Sequence, residues 1–163
     1  MPSVLFVCTA NRFRSPLAAA VFRKLLQTRE KENLWRVESA GTWTRAGLPA
    51  TPEALQEAAV LGLDLSGHES HPIDGELLAR SDLVLVMEAN QLEAIRIEFH
   101  SSMGTTHLLS EVAVGSAFDI PDPYRMSNMD NAHAIAREIC QLIEKGFDEI
   151  CRMAGLLKQN KVA

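Results

Sequence analysis

Apolar positions along this chain come in two rhythms. Val4-Leu5-Phe6-Val7 and Leu83-Val84-Leu85-Val86-Met87 are unbroken runs bounded by polar or turn residues, the pattern of short strands buried on both faces. Residues 35–40 and 106–109 read the same way. Between these runs the apolar residues recur at helical spacing, and helices are predicted over residues 16 to about 29, 52–61, 75–80, 90–99 and 128 to about 145. Ser15-Pro16 has the form of a helix start, with serine as cap and proline in the first helical position. Val21, Phe22, Leu25 and Leu26 then supply a buried stripe. Thr51-Pro52-Glu53 repeats the start pattern, and Gly62 closes that helix. Strands alternating with helices predict an α/β fold, a parallel sheet with helices on both faces joined by right-handed crossovers. In such sheets ligands bind at the edge where the strands end. Cys8 lies at that edge. A second loop, residues 116–124, follows the fourth strand and is expected to open on the same side.

Composition narrows the class. The chain has 163 residues, 47% apolar and 23% charged, enough for one ordinary hydrophobic core, and residues 1–163 are expected to form one domain. No apolar run approaches membrane-spanning length, and Met1-Pro2-Ser3 leads straight into a strand without the basic and apolar regions of a signal peptide. The three cysteines, Cys8, Cys140 and Cys151, are dispersed and odd in number, which does not suit a disulfide framework. A reducing, cytoplasmic setting is expected. A net charge of -5 without a Lys/Arg stripe argues against nucleic acid as a partner. It leaves room for one focused anion site.

That site is Cys8-Thr9-Ala10-Asn11-Arg12-Phe13-Arg14-Ser15. A loop joining a strand end to a helix start turns backbone N–H groups inward, and the first helical turn adds more with the positive end of its dipole. A thiol in such a place is drawn toward thiolate, the nucleophilic form. Arg14 offers a planar fork for two phosphoryl oxygens. Ser15 can donate toward the Cys8 sulfur. Asn11 can brace the turn and tolerates a left-handed backbone. Arg12 and Phe13 are expected to point outward or line the mouth, meeting the leaving group. Taken singly, a strand-end cysteine is more often a small buried hydrophobe; it is the ordered combination that points to chemistry. The absence of glycine and lysine between Cys8 and Arg14 excludes a nucleotide-binding loop. Thiolate attack on a phosphate ester needs an acid for the leaving oxygen, and the second loop holds two candidates, Asp119 and Asp122. Asp122-Pro123-Tyr124 is a rigid presentation, and Tyr124, the single tyrosine, can hold an aryl leaving group. Asp119 is the alternative acid or a residue that holds the loop.

With these motifs in order, the chain resembles the low-molecular-weight protein tyrosine phosphatase family over nearly its whole length. The likeness rests on residues 7–16, on Glu38-Ser39-Ala40-Gly41-Thr42, on Ser81-Asp82-Leu83-Val84-Leu85-Val86-Met87 and on Asp122-Pro123-Tyr124. The resemblance implies a four-stranded parallel sheet, Cys8 as nucleophile, Arg14 as phosphate clamp, Asp122 as acid then base, Ser15 as thiolate stabiliser and Asn11 as loop brace. It implies a tyrosine-phosphorylated protein as substrate, inorganic phosphate as product, and no metal or organic cofactor; oligomeric state stays open. Three positions depart from the family pattern: Ala10 stands where glycine is usual, Phe13 where a second cysteine is usual, and Arg125 where a further aromatic is common. Trp43 is expected either to wall the site or to pack elsewhere. Two rival readings remain beside this one. A thiol-coupled arsenate reductase of the same fold needs relay cysteines, which residues 83–99 lack. A phosphate-binding module would keep the cup without turnover. Gly67-His68-Glu69-Ser70-His71 lacks a clear third metal ligand and reads as an exposed two-histidine loop.

Overall fold

The computed structural model of the chain describes residues 1–125 and 130–162. The first strand, β1 (Ser3–Cys8), is followed by α1 (Arg14–Thr28), β2 (Arg36–Gly41), α2 (Pro52–Val60), α3 (Gly75–Arg80), β3 (Leu83–Val86), α4 (Ala89–Glu98), β4 (Thr106–Leu108), α5 (Leu109–Val114) and α6 (Asp130–Val162). Single helical turns fill Glu32–Leu34, His100–Thr105 and Pro123–Arg125. The strands form one parallel sheet in the order β2-β1-β3-β4. In register, Val4 sits between Val37 and Leu83, and Cys8 lies opposite Gly41.

The continuous apolar runs are explained by two cores, one on each face of the sheet. Val4, Phe6 and Cys8 turn to the face covered by α1 and α6, where Phe22 and Phe147 stack at 5.0 Å between ring centroids. Leu5 and Val7 turn to the other face, against Leu77, Leu78 and Ile95 of α3 and α4. This period-two division of one apolar strand is what double-sided burial requires.

Several boundaries move. β2 runs over 36–41, one residue later than expected. Ser15 is not a cap: α1 begins at Arg14, Phe13 holds the cap position without a side-chain bond, and the Ser15 hydroxyl is committed inside the site. Thr51 does cap α2, accepting from the Ala54 N–H at 3.2 Å. One helix is not among those predicted from the sequence: α5 occupies residues 109–114 between β4 and the second loop. The last helix continues to Val162, well past residue 145, because Phe147, Ile150 and Ala154 extend its buried stripe beyond Gly146. Its expected start at Asn128 lies outside the described residues. Among the described residues no helix is long and apolar enough to cross a membrane.

Candidate active site

β1 delivers Cys8 to the sheet edge, and residues 9–13 turn the chain into α1. Among the described residues, no protein acceptor pairs with the backbone N–H groups of Thr9 to Ser15. Unpaired amides at a helix N-terminus attract an anion. Asn11, fully buried, takes the left-handed conformation at φ 54. Four contacts hold it there. Its Nδ2 donates to Ser15 Oγ and to Ser39 Oγ, each at 2.9 Å. Its Oδ1 accepts from the His71 N–H at 2.8 Å, and its carbonyl lies 2.6 Å from His68 Nε2. A carbonyl only accepts, so His68 donates from Nε2. Ala10 is not among the residues with positive φ, so its methyl group meets no backbone strain.

Cys8 Sγ lies 3.1 Å from Ser15 Oγ. Because Asn11 donates to that oxygen, the Ser15 proton is free to go to the sulfur or to the Ala40 carbonyl at 3.3 Å. Gly41, opposite Cys8, makes this close packing possible: a Cβ there would sit 2.6 Å from the Thr9 carbonyl oxygen.

Arg14 is 2% exposed. Its Nη1 donates to the Glu88 carboxylate and to the Ile120 carbonyl at 2.8 Å. Its Nη2 lies 3.5 Å from Asp122 Oδ2. Glu88 is itself buried and also faces Arg125, at 3.7 Å. The fork is thus held through Nη1 by Glu88 and Ile120, with Nη2 facing Asp122 of the second loop. Asp122 Oδ1 accepts from the Tyr124 N–H at 3.0 Å, which orients the carboxylate. Asp119 lies elsewhere, accepting from the Ala89 N–H at 2.8 Å and tying the loop to the start of α4.

A cavity of about 240 Å³ opens over the sulfur, lined by Cys8, Ala10, Arg12, Phe13, Arg14, Thr51, Asp122 and Tyr124. Phe13 does not point outward: it is buried, and its ring meets Tyr124 edge-on at 6.5 Å. The Tyr124 hydroxyl donates to the Glu53 carboxylate. Partial burial and that carboxylate push the phenol up to about 12, and the same bond lowers Glu53. Arg12 stays half-buried at the rim, its Nε donating to the Pro49 carbonyl at 2.8 Å. Thr9 serves from outside the lining, its Oγ1 accepting from Gln91 Nε2 at 3.1 Å. Trp43 is tied to the loop through its N–H, which donates to the Thr9 carbonyl at 3.0 Å; the residue is 85% exposed and is not part of the cavity lining.

A larger cavity of about 690 Å³ lies behind the loop, against His68, His71 and Ser39, and contains no thiol. The two-histidine loop is therefore not simply solvated. Burial pushes the His68 imidazole down, toward the neutral ring that donates to Asn11. The sequence carried no sign of this, since His68 and Asn11 are 57 residues apart. Glu88 and Gln91 were missed for the same reason. Cys140 and Cys151 are free thiols on α6, and burial raises both, Cys151 to about 11.

A parallel α/β sheet that ends its central strand in a cysteine, under unpaired amides and beside a buried arginine, defines a cysteine-dependent phosphatase. The chain belongs to the family described as Low molecular weight phosphotyrosine protein phosphatase, whose profile matches residues 3–162. It is 36% identical over 146 residues to the probable low molecular weight protein-tyrosine-phosphatase EpsP of Ralstonia solanacearum, covering 90% of this chain and 91% of that one. It is 31% identical to a protein-arginine-phosphatase of Bacillus subtilis, covering 87% and 97%. Its fold superposes on the low molecular weight protein tyrosine phosphatase of T. tengcongensis with a TM-score of 0.83 at 30% identity, covering 91% and 99%.

Proposed function

We propose that residues 1–163 form one catalytic domain that hydrolyses phosphotyrosine on protein substrates through a cysteinyl-phosphate. The Cys8 sulfur attacks phosphorus while Arg14 and the unpaired loop amides hold the non-bridging oxygens. The bond from phosphorus to the tyrosyl oxygen breaks, and Asp122 gives that oxygen its proton. Asp122, now a carboxylate, takes a proton from water as water attacks phosphorus. The sulfur–phosphorus bond breaks, and inorganic phosphate and the thiolate are released. Ser15 donates to the sulfur as the sulfur–phosphorus bond breaks, which favours its departure. Every group in these steps belongs to the chain, the ester or water.

The observation that carries the aryl preference is the aromatic wall that Phe13 and Tyr124 together form on the cavity above Cys8. Two rings packed edge to face present an apolar aromatic surface against which a phenyl leaving group can lie. A phosphoarginine reading has support in the likeness to the Bacillus subtilis arginine phosphatase and in the Glu53 carboxylate near the mouth. Arg12 opposes it, because a guanidinium entering beside it brings like charges together, at a cost on the order of 1–4 kcal/mol at ~4 Å.

A leaving-group series tests the mechanism. Cys8→Ser is expected to abolish turnover. Asp122→Asn should slow esters of poor leaving groups by roughly 10²–10⁴-fold and activated aryl esters far less. A uniform loss across the series moves the acid role away from Asp122. Phosphotyrosine and phosphoarginine peptides assayed side by side decide the substrate class, and faster release from phosphoarginine overturns the aryl reading.

A further inference from the structure

We propose that Arg12 forms a second anion subsite at the mouth of the cavity, which recognises an acidic side chain neighbouring the phosphorylated residue. This rests on the phosphotyrosine reading above and concerns how the same site chooses among protein substrates.

Arg12 and Arg14 are two residues apart and do opposite things. Arg14 is buried, and its charge is met by Glu88 and Asp122. Arg12 lines the same cavity from the rim. Among the described residues, no carboxylate lies within 4.0 Å of it, whereas at the same site Arg14 has two and Arg125 has one. It is also held in place. Its Nε donates to the Pro49 carbonyl at 2.8 Å, and its own carbonyl accepts from the Thr51 N–H at 3.0 Å. That leaves both terminal nitrogens as donors on a guanidinium already oriented at the mouth. A planar fork of this kind matches a carboxylate, and fixing it beforehand reduces the entropy lost on binding.

The phosphoryl group does not need Arg12, because Arg14 and the loop amides already surround its place. The neighbouring carboxylates are occupied: Glu53 accepts from Tyr124, and Asp122 from the Tyr124 N–H and faces Arg14. An acidic residue of a substrate therefore meets a guanidinium without a carboxylate partner on the Arg12 side of the cavity mouth. The whole chain, at -5, does not attract acidic peptides. Any preference for them is local, and salt should weaken it.

Two phosphotyrosine peptides, identical except for Glu or Gln on both sides of the phosphotyrosine, give the readout as a ratio of kcat/KM. The ratio cancels any general effect of a substitution on the loop. The wild type is expected to favour the acidic peptide by about two- to fivefold at low salt, with the ratio shrinking as salt rises. Arg12→Gln should bring the ratio near one, and Arg12→Lys should keep part of it. A wild-type ratio near one, or a ratio that Arg12→Gln leaves intact, overturns the subsite. If Arg12→Gln does not fold, the salt dependence of the wild-type ratio and the Arg12→Lys ratio decide. Hydrolysis of both peptides without discrimination sinks the subsite alone. Hydrolysis of neither, with release from a phosphoarginine peptide, sinks the phosphotyrosine reading and the subsite with it.

Discussion

Ser15 has one proton and two acceptors within reach, and which one takes it follows the charge on Cys8. A sulfur anion is the stronger acceptor, so the bond at 3.1 Å tightens when the thiolate forms and relaxes toward Ala40 when it does not. Phe13 adds to the same pocket by turning a position the family often gives to a thiol into an aromatic wall. Opposite it, Tyr124 makes the wall testable. Burial and Glu53 hold its phenol at about 12, above the ordinary value of 10.0. A proton held more tightly in the folded state stabilises the fold in full below the ordinary value, and that contribution is lost as pH rises through the folded one. Tyr124 is the only tyrosine, so phenolate absorbance reports it alone. The expected midpoint is near 12 in the wild type, falling toward the ordinary value in Glu53→Ala. An ordinary midpoint in the wild type means that Glu53 does not hold the ring, and the aromatic wall loses that anchor.

Among the elements, α5 and α6 do the most to place the acid. Ser110 on α5 accepts from the Phe118 N–H at 3.0 Å and donates to the Phe118 carbonyl at 2.7 Å, which starts the second loop in a defined direction. α6 lies close against α5, and Gly146 is the reason it can: a Cβ there would come within 2.6 Å of Ala113 Cα. Alanine at an exposed helical site stabilises by up to about 1 kcal/mol over glycine. Here overpacking outweighs that gain, and Gly146→Ala is expected to lose about 1–3 kcal/mol in urea unfolding. A stabilised variant would show that α5 and α6 do not approach so closely.

At the level of the molecule, the site sits where it does because of strand order. The chain leaves β1 for β2 on one side, then returns to add β3 and β4 on the other. Their crossovers part at the end of β1, leaving a crevice there, and Cys8 is the residue at that point. An anion bound in the crevice contacts groups brought together only by the folded state, so binding and stability are linked. Inorganic phosphate at 100 times its dissociation constant should stabilise the fold by about 2.7 kcal/mol, raising Tm by roughly 5–10 °C. Cys8→Ser should keep much of this shift, since the amides and Arg14 remain. No shift at saturating phosphate in either protein would show that the loop is not an oxyanion site.

Local chemistry was legible because it depends on neighbours in sequence. Apolar runs and helical spacing marked all four strands, and the order from Cys8 to Ser15 marked the loop. Asp122-Pro123-Tyr124 marked a second loop whose carboxylate the folded chain brings to Arg14. Periodicity and short covalent spacing act within a few residues, so they survive without a fold. Which of Asp119 and Asp122 faces the sulfur's side of the sheet, that Ser15 serves the thiol instead of capping a helix, that Trp43 stays in solvent, and that His68 and Glu88 stand behind Asn11 and Arg14 were decided by the tertiary structure. Those partners lie 57 and 74 residues away along the chain, and only packing of the two faces of the sheet selects them.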